Sequence, residues 1–339
     1  GLAIVAFIVC AFFTAFTGAS GVTIVAMGAL LYPALKQAGY PERFSLGLVT
    51  TSGSLGLLLP PSLPLILYGI IAQQMAASPG EISIENLFIA GILPALLMTS
   101  MLCAWSLWAN RKAPVPVVAF SLSRLRQAIR ESIWEIPLPF FVFTGIYSGF
   151  FAVSEAAAVT ALYVLIVEVF IYKEIRLFQL GGIFRDAMVM VGGILLILGV
   201  SLALTNFLID AEIPMKLFSA CQALVTSKVV FLILLNLFLL ILGAMLDIFS
   251  AIIIMVPLML PVAQEYGVNP VHLGIIFLAN MQIGYFTPPV GMNLFIAGYR
   301  FNKPIIDIYK ACIPFMLVLI AAVLIITYWP WLSLVLISG

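Results

Sequence analysis

Residues 229–262 carry a single charged side chain, Asp247, in an otherwise apolar run. A transmembrane helix needs about 20 apolar residues, and this run is too long for one span and too greasy for a soluble core. Comparable runs cover 1–17, 21–35, 44–75, 86–109, 136–150, 154–172, 187–208, 271–300 and 312–338. The chain has 15 Lys and Arg against 14 Asp and Glu, and 64% of its residues are hydrophobic. So few charges cannot cover a soluble surface of 339 residues, so the chain is an integral membrane protein. The alternating ten-residue blocks of a membrane barrel are absent, which leaves an all-α bundle of many spans. A net charge of +1 without a basic cluster excludes nucleic-acid binding. No nucleophile–base–acid pattern, metal-ligand pair or phosphate loop suggests an enzyme. Cys10, Cys103, Cys221 and Cys312 are scattered through apolar stretches and read as packing residues.

Basic residues set the orientation. Lys36, Arg43, Arg111, Lys112, Arg124, Arg126, Arg130, Lys173, Arg176, Arg185, Arg300, Lys303 and Lys310 all fall in loops on one side. That side faces the cytoplasm. The opposite loops, 76–86, 209–228 and 265–270, hold Glu81, Glu85, Asp210, Glu212 and Glu265 with Lys216 and Lys228. Residues 122–133, and again 305–313 around Lys310, pattern as amphipathic helices on the cytoplasmic surface. Gly1 opens directly into an apolar run with no basic segment before it, so the sequence is expected to start inside a longer protein.

Self-comparison divides the chain. Pro33–Gly39 matches Pro261–Gly267, Leu46-Gly47 matches Leu273-Gly274, and Gly56…Pro60-Pro61 matches Gly284…Pro288-Pro289. Gly and Pro kept at shared intervals over more than fifty residues are not explained by a small apolar alphabet. The loop at 36–43 is cytoplasmic and the matching loop at 265–270 external, so the copies have opposite topology, the plan of secondary transporters. The first repeat spans 1–109: a hairpin at 1–36, a broken helix at 44–75 and a helix at 86–109. A cytoplasmic amphipathic connector follows at 110–135. The second repeat spans 136–339: helices within 136–208, a hairpin at 229–264, a broken helix at 271–300 and a C-terminal helix at 312–338.

Each broken helix carries a Pro-Pro pair, which removes backbone donors and disfavours helix in the residue before it. Freed carbonyls are tolerable at membrane depth only where they line a cavity; there they bind cations, while half-helix N-termini favour anions. The first break offers Ser52, Ser54 and Ser62; the second offers Asn280, Gln282, Thr287 and Asn293. The hairpin tips add Thr17, Gly18, Ala19, Ser20 and Gly21, and Gly243, Leu246, Asp247 and Ser250. Hard oxygen ligands with no Cys/His cluster suit Na⁺ rather than a transition metal. Asp247 reads as a cation ligand, as a cap onto 249–251, or as both. Glu155 reads as an acid in a first helical turn behind an N-cap at Ser154, with a lesser claim as a substrate ligand. Glu168 reads as a residue reaching the cytoplasmic interface or paired with Lys173, and His272 as a helix-edge residue with a lesser claim as a proton site.

Gly18-Ala-Ser-Gly21, Gly56-Leu-Leu-Leu-Pro-Pro-Ser62, Gly145–Ala158 and Gly284-Tyr-Phe-Thr-Pro-Pro-Val-Gly291 together resemble the large membrane subunit of TRAP transporters (tripartite ATP-independent periplasmic transporters), the DctM-like family. The resemblance runs over nearly the whole chain. It implies an elevator-type carrier with two re-entrant hairpins, resident in the bacterial inner membrane, importing organic acids with Na⁺ as coupling ion and no other cofactor. Its implied partners are a small four-helix membrane subunit and a periplasmic substrate-binding protein. Carried onto this sequence, one Na⁺ site uses Ser20 with the backbone of Gly56, Leu59 and Pro61. The other uses Gly243 and Asp247 with Gly284, Thr287 and Met292. The organic acid, such as a C4-dicarboxylate or sialic acid, sits between the tips, within reach of Thr17, Ser20, Ser52, Ser54, Asn280, Thr287 and Asn293. The rival reading is a Na⁺- or H⁺-coupled dicarboxylate or citrate carrier of the same superfamily that works without a binding protein.

Overall fold

The computed structural model describes residues 1–75, 82–111, 121–148, 150, 153–211, 216, 225, 227–288 and 290–337. Among them all regular structure is helical. Five helical segments are long and apolar enough to cross a membrane: Glu42–Met75, Ile84–Ala109, Lys228–Met245, Ile248–Glu265 and Ile305–Tyr328. The chain is thus a multi-span helical membrane protein. Glu81, Lys112, Glu212, Cys221 and Pro289 lie outside the described residues.

Two compact units are present, one made of Gly1–Val117 with Ala203–Gly339, the other of Val118–Leu202. The first unit opens with α1 (Leu2–Thr17) and α2 (Ser20–Gln37), joined at a tight corner. Gly18 makes that corner: it ends α1 in the left-handed region, φ 63°, and its N–H reaches Thr14 O at 2.8 Å. Next come α3 (Glu42–Ser52), a 3₁₀ turn (Leu55–Leu58), α4 (Leu63–Met75) and α5 (Ile84–Ala109). Ser83 caps α5 by accepting Asn86 N–H at 3.0 Å.

The second unit contains α6 (Leu122–Glu131), α7 (Pro137–Tyr147), α8 (Val153–Ile166) and most of α9 (Leu177–Asp210). Leu122, Leu125, Ile129 and Ile133 are exposed along one stripe beginning in α6. The Tyr163 and Tyr172 hydroxyls donate to Trp134 O and Glu131 O at the end of α6. Helix α8 begins at Val153, so Ser154 and Glu155 both lie in its first turn.

The first unit resumes with α10 (Lys228–Met245), α11 (Ile248–Glu265), α12 (Pro270–Gly284), α13 (Met292–Phe301), α14 (Ile305–Tyr328) and the short α15 (Trp331–Leu334). Asn269 caps α12 and Pro270 occupies its first turn, where a missing N–H costs nothing. One expectation is corrected here. The stretch around Lys310 is not a separate surface helix preceding a span at 312–338. A single helix runs from Ile305 to Tyr328, carries Pro314 inside it, and stops before Pro330.

Helix α1 lies on the 3₁₀ turn, and α10 lies on α12. Helix α2 packs with α13 and α4 with α11; α3 packs with α14 and α12 with α5. Glycines allow the closest of these approaches. A Cβ on Gly56 would collide with the Ala11 carbonyl and the Ala15 nitrogen, and one on Gly284 would collide with the Gly243 backbone.

Candidate functional site between the two hairpin tips

The corner between α1 and α2 and the corner between α10 and α11 face a common cavity of about 550 Å³. Its walls include Gly18, Ser20, Val22, Asp247, Tyr285 and Met292, among other apolar residues. A second cavity of about 270 Å³ shares Asp247, Met292 and Ile296 with it and is lined further by Gly243, Ala244 and Leu246.

The two tips end differently. At the second, Asp247 has extended backbone and its Oδ1 accepts Phe249 and Ser250 N–H, each at 3.0 Å. The Tyr285 hydroxyl oxygen accepts Ile248 N–H at 2.9 Å. Three N–H groups at the start of α11 are therefore satisfied by side chains, and a carboxylate already sits where an anion would bind. At the first tip the N-cap of α2 is Ala19, which has no side chain to offer. The positive end of α2 faces the cavity without a side-chain cap, while that of α11 is closed.

The segment after α12 holds both tips. Gly291 N–H donates to Ala244 O at 3.0 Å on the second, and Ser20 Oγ at the first donates to Asn293 Oδ1 at 2.8 Å. Asn293 is fully buried, and its Nδ2 has no partner; nor has the buried Thr17 Oγ1 at the end of α1. Thr14 Oγ1 lies within 2.9 Å of Cys10 O, Gly53 O and Thr23 Oγ1, tying the first hairpin to the first break.

Among the residues chosen from sequence, Ser20 and Asp247 line the larger cavity with Met292, and Gly243 lines the smaller. Asn293 reaches the site through Ser20. Ser52 and Ser54 are fully buried; Ser52 bonds back to Val49 O at 3.4 Å, and Ser54 bonds back to Thr51 O at 3.3 Å and across to Gln282 O at 3.0 Å. Asn280 is buried too, with its Nδ2 donating to Asn236 Oδ1 at 2.7 Å. Thr287 Oγ1 donates to Ile283 O at 2.8 Å and contacts Met316 of α14. The carbonyls of Gly56 and Leu59 accept Leu59 and Ser62 N–H, so the first break is built of turns rather than open carbonyls; Pro61 lies beside them, half-buried. His272 is buried between Thr327 O and Ser333 Oγ. A carbonyl only accepts, so Nε2 carries a proton and donates to Thr327 O, while Nδ1 meets the Ser333 hydroxyl, a tie among three helices. Glu168 is not paired with Lys173 among the described ion pairs. Tyr285 escaped the sequence reading. Its one signal was a phenol inside a Gly/Pro-rich break, where the apolar neighbours give it no reason to be polar.

The family model for the tripartite ATP-independent periplasmic transporter, DctM component, matches residues 1–332. The C4-dicarboxylate TRAP transporter large permease protein DctM of Pseudomonas aeruginosa is 34% identical over 99% of this chain and 77% of its own length. The isethionate TRAP transporter permease protein DctMQ of Oleidesulfovibrio alaskensis is 35% identical over 97% of this chain, which spans about half (51%) of that protein. The sialic acid TRAP transporter permease protein SiaT of Haemophilus influenzae is 30% identical over 93% of the chain and half of its own length. A helical membrane chain with paired tips around one cavity, matched by this family over residues 1–332, belongs to the DctM component of the tripartite ATP-independent periplasmic transporters.

Proposed function

We propose that the chain is the large transport subunit of a Na⁺-coupled importer of organic acids in a bacterial inner membrane. The cavity between the tips carries the reading: in a chain of this family it offers a positive helix end, hydroxyls and one carboxylate at membrane depth. The substrate carboxylate docks at the start of α2, because Asp247 and Tyr285 occupy the start of α11. Na⁺ takes the smaller adjoining cavity, where Asp247 supplies charge and Gly243, Ala244 and Leu246 supply backbone. Ser20 with the first break, and Gly284, Thr287 and Met292 with the second, complete the two ion sites.

The inverted-repeat reading is supported by packing that recurs at one offset. Gly56 meets Ala15 across the first hairpin, and Gly284 meets Gly243 across the second, both 228 residues on. Ser54 Oγ donates to the carbonyl of Gln282, its own counterpart at that offset, as expected on a pseudo-twofold axis. Rocking or lifting these repeats past a scaffold is the motion an elevator requires. A small membrane subunit provides bracing and a periplasmic binding protein delivers the acid; the relatives' names give isethionate, C4-dicarboxylate, sialic acid and ectoine as cargo of those proteins.

The test is uptake into liposomes holding the full protein with its small subunit. Accumulation that needs both a Na⁺ gradient and added binding protein is the expected result. Accumulation without the binding protein favours a self-sufficient carrier of the same superfamily, and no coupled accumulation overturns both readings.

A further inference from the structure

Two polar side chains share one wall of the larger cavity, and their hydrogen-bond inventories are incomplete in complementary ways. Tyr285 accepts the Ile248 N–H through its phenolic oxygen, and its own O–H has no acceptor among the described residues. Asp247 spends Oδ1 on two backbone N–H groups, which leaves Oδ2. They flank the same helix start, since Ile248 follows Asp247 in the chain. A donor and an acceptor set together are satisfied by a group that both accepts and donates. A hydroxyl does this. A methylene does neither, and a second carboxylate has no proton to give Asp247.

The opposite wall supplies the other half of the match. Of the helix starts at the cavity, that of α11 is capped by Asp247 and Tyr285, and at that of α13 the Gly291 and Asn293 N–H groups are bonded to Ala244 O and Tyr285 O. The start of α2 has no side-chain cap and is the place left for a carboxylate, beside Ser20. We infer that Tyr285 and Asp247 read a hydroxyl, and that the substrate is a hydroxylated monocarboxylate bound by its carboxylate at the first tip and by a hydroxyl at the second. This rests on the cavity being the substrate site. Tyr285 is the specificity-determining residue of the pair, because it alone supplies a donor.

Three six-carbon probes separate the possibilities: D-gluconate, hexanoate and adipate, which present hydroxyls with one carboxylate, one carboxylate alone, and two carboxylates. Binding is read as thermal stabilisation of the full protein in Na⁺. D-gluconate should half-saturate at a concentration about tenfold below the other two, the worth of one net hydrogen bond. Tyr285→Phe should abolish that gap while leaving the hexanoate value unchanged, which a merely loosened tip would not do. Should Tyr285→Phe fail to fold, Asp247→Asn, which keeps both caps, should narrow the gap instead. Equal binding of the three probes, or a gap that survives the substitution, overturns the hydroxyl reading and leaves the transport reading standing. If none of the probes binds in Na⁺, the hydroxyl reading falls, and the transport reading stands or falls on the liposome uptake.

Discussion

Asp247 does two jobs that can be separated chemically. Its Oδ1 caps α11, a contribution of about 1 kcal/mol, and its charge faces two cavities. Asp247→Asn keeps an acceptor at the cap, so melting in Na⁺-free detergent should stay close to the parent. Asp247→Ala should lose about 1 kcal/mol, and both variants should need more Na⁺ for half-maximal uptake. A Na⁺ requirement unchanged in both would remove Asp247 from the ion site. Ser20 presents the opposite case. It is 4% exposed and supplies the donor to Asn293 Oδ1, next to an Nδ2 that already lacks a partner. Ser20→Ala would strand the whole amide, at a cost of about 1–3 kcal/mol, read as a lower melting temperature. Asp247 stood out in the sequence because a carboxylate in a long apolar run is costly, and Ser20 because it sits in a glycine-flanked interruption of one. Their partners did not: nothing within the neighbourhood of Ser20 points 273 positions along to Asn293.

At the scale of elements, glycine placement decides how closely helices approach. Gly56→Ala and Gly284→Ala put a methyl into backbone that cannot yield, so each should cost about 1–3 kcal/mol, and the fully folded yield should fall. Gly181→Ala, on α9, provides the control: a Cβ there meets nothing within 4 Å, and the exchange should stabilise the helix by about 0.5–1 kcal/mol. If all three variants melt alike, the close contacts carry no stability. Hairpins, broken helices and their bounds were largely legible, since apolar run length, Gly and Pro are local signals. The single helix Ile305–Tyr328 was not, because the amphipathic start and the apolar continuation look like two elements until packing against α3 and α5 joins them. The breaks were legible as breaks, yet their carbonyls are mostly spent in turns, which depends on dihedral angles that no residue pattern fixes.

For the whole molecule the decisive measurement is coupling. Thr287 lies at the second break with its hydroxyl on Ile283 O, and the ion-site reading expects Thr287→Ala to insert normally but to raise the Na⁺ needed for half-maximal uptake. Uptake with an unaltered Na⁺ dependence would place the ion elsewhere. Surface charge will contribute little to such differences: the described ion pair of Lys303 with Glu42, at 2.7 Å, is exposed and links neighbouring ends of the first unit far along the chain.

The sequence by itself determined the solvent, the helical class, the family and the positions of tips and breaks. Each of these follows from what lipid forbids: bare charge, open sheet edges and unsatisfied backbone. Only the tertiary structure decided which polar groups share a cavity. Ser52, Ser54 and Asn280 look as eligible as Ser20 in a one-dimensional reading, but they bond to Val49 O, Gln282 O and Asn236 Oδ1 and line neither cavity. The fold brings Tyr285 to the start of α11 and leaves the start of α2 without a side-chain cap, a difference between the two tips that arises from one residue at each, Ala19 and Asp247.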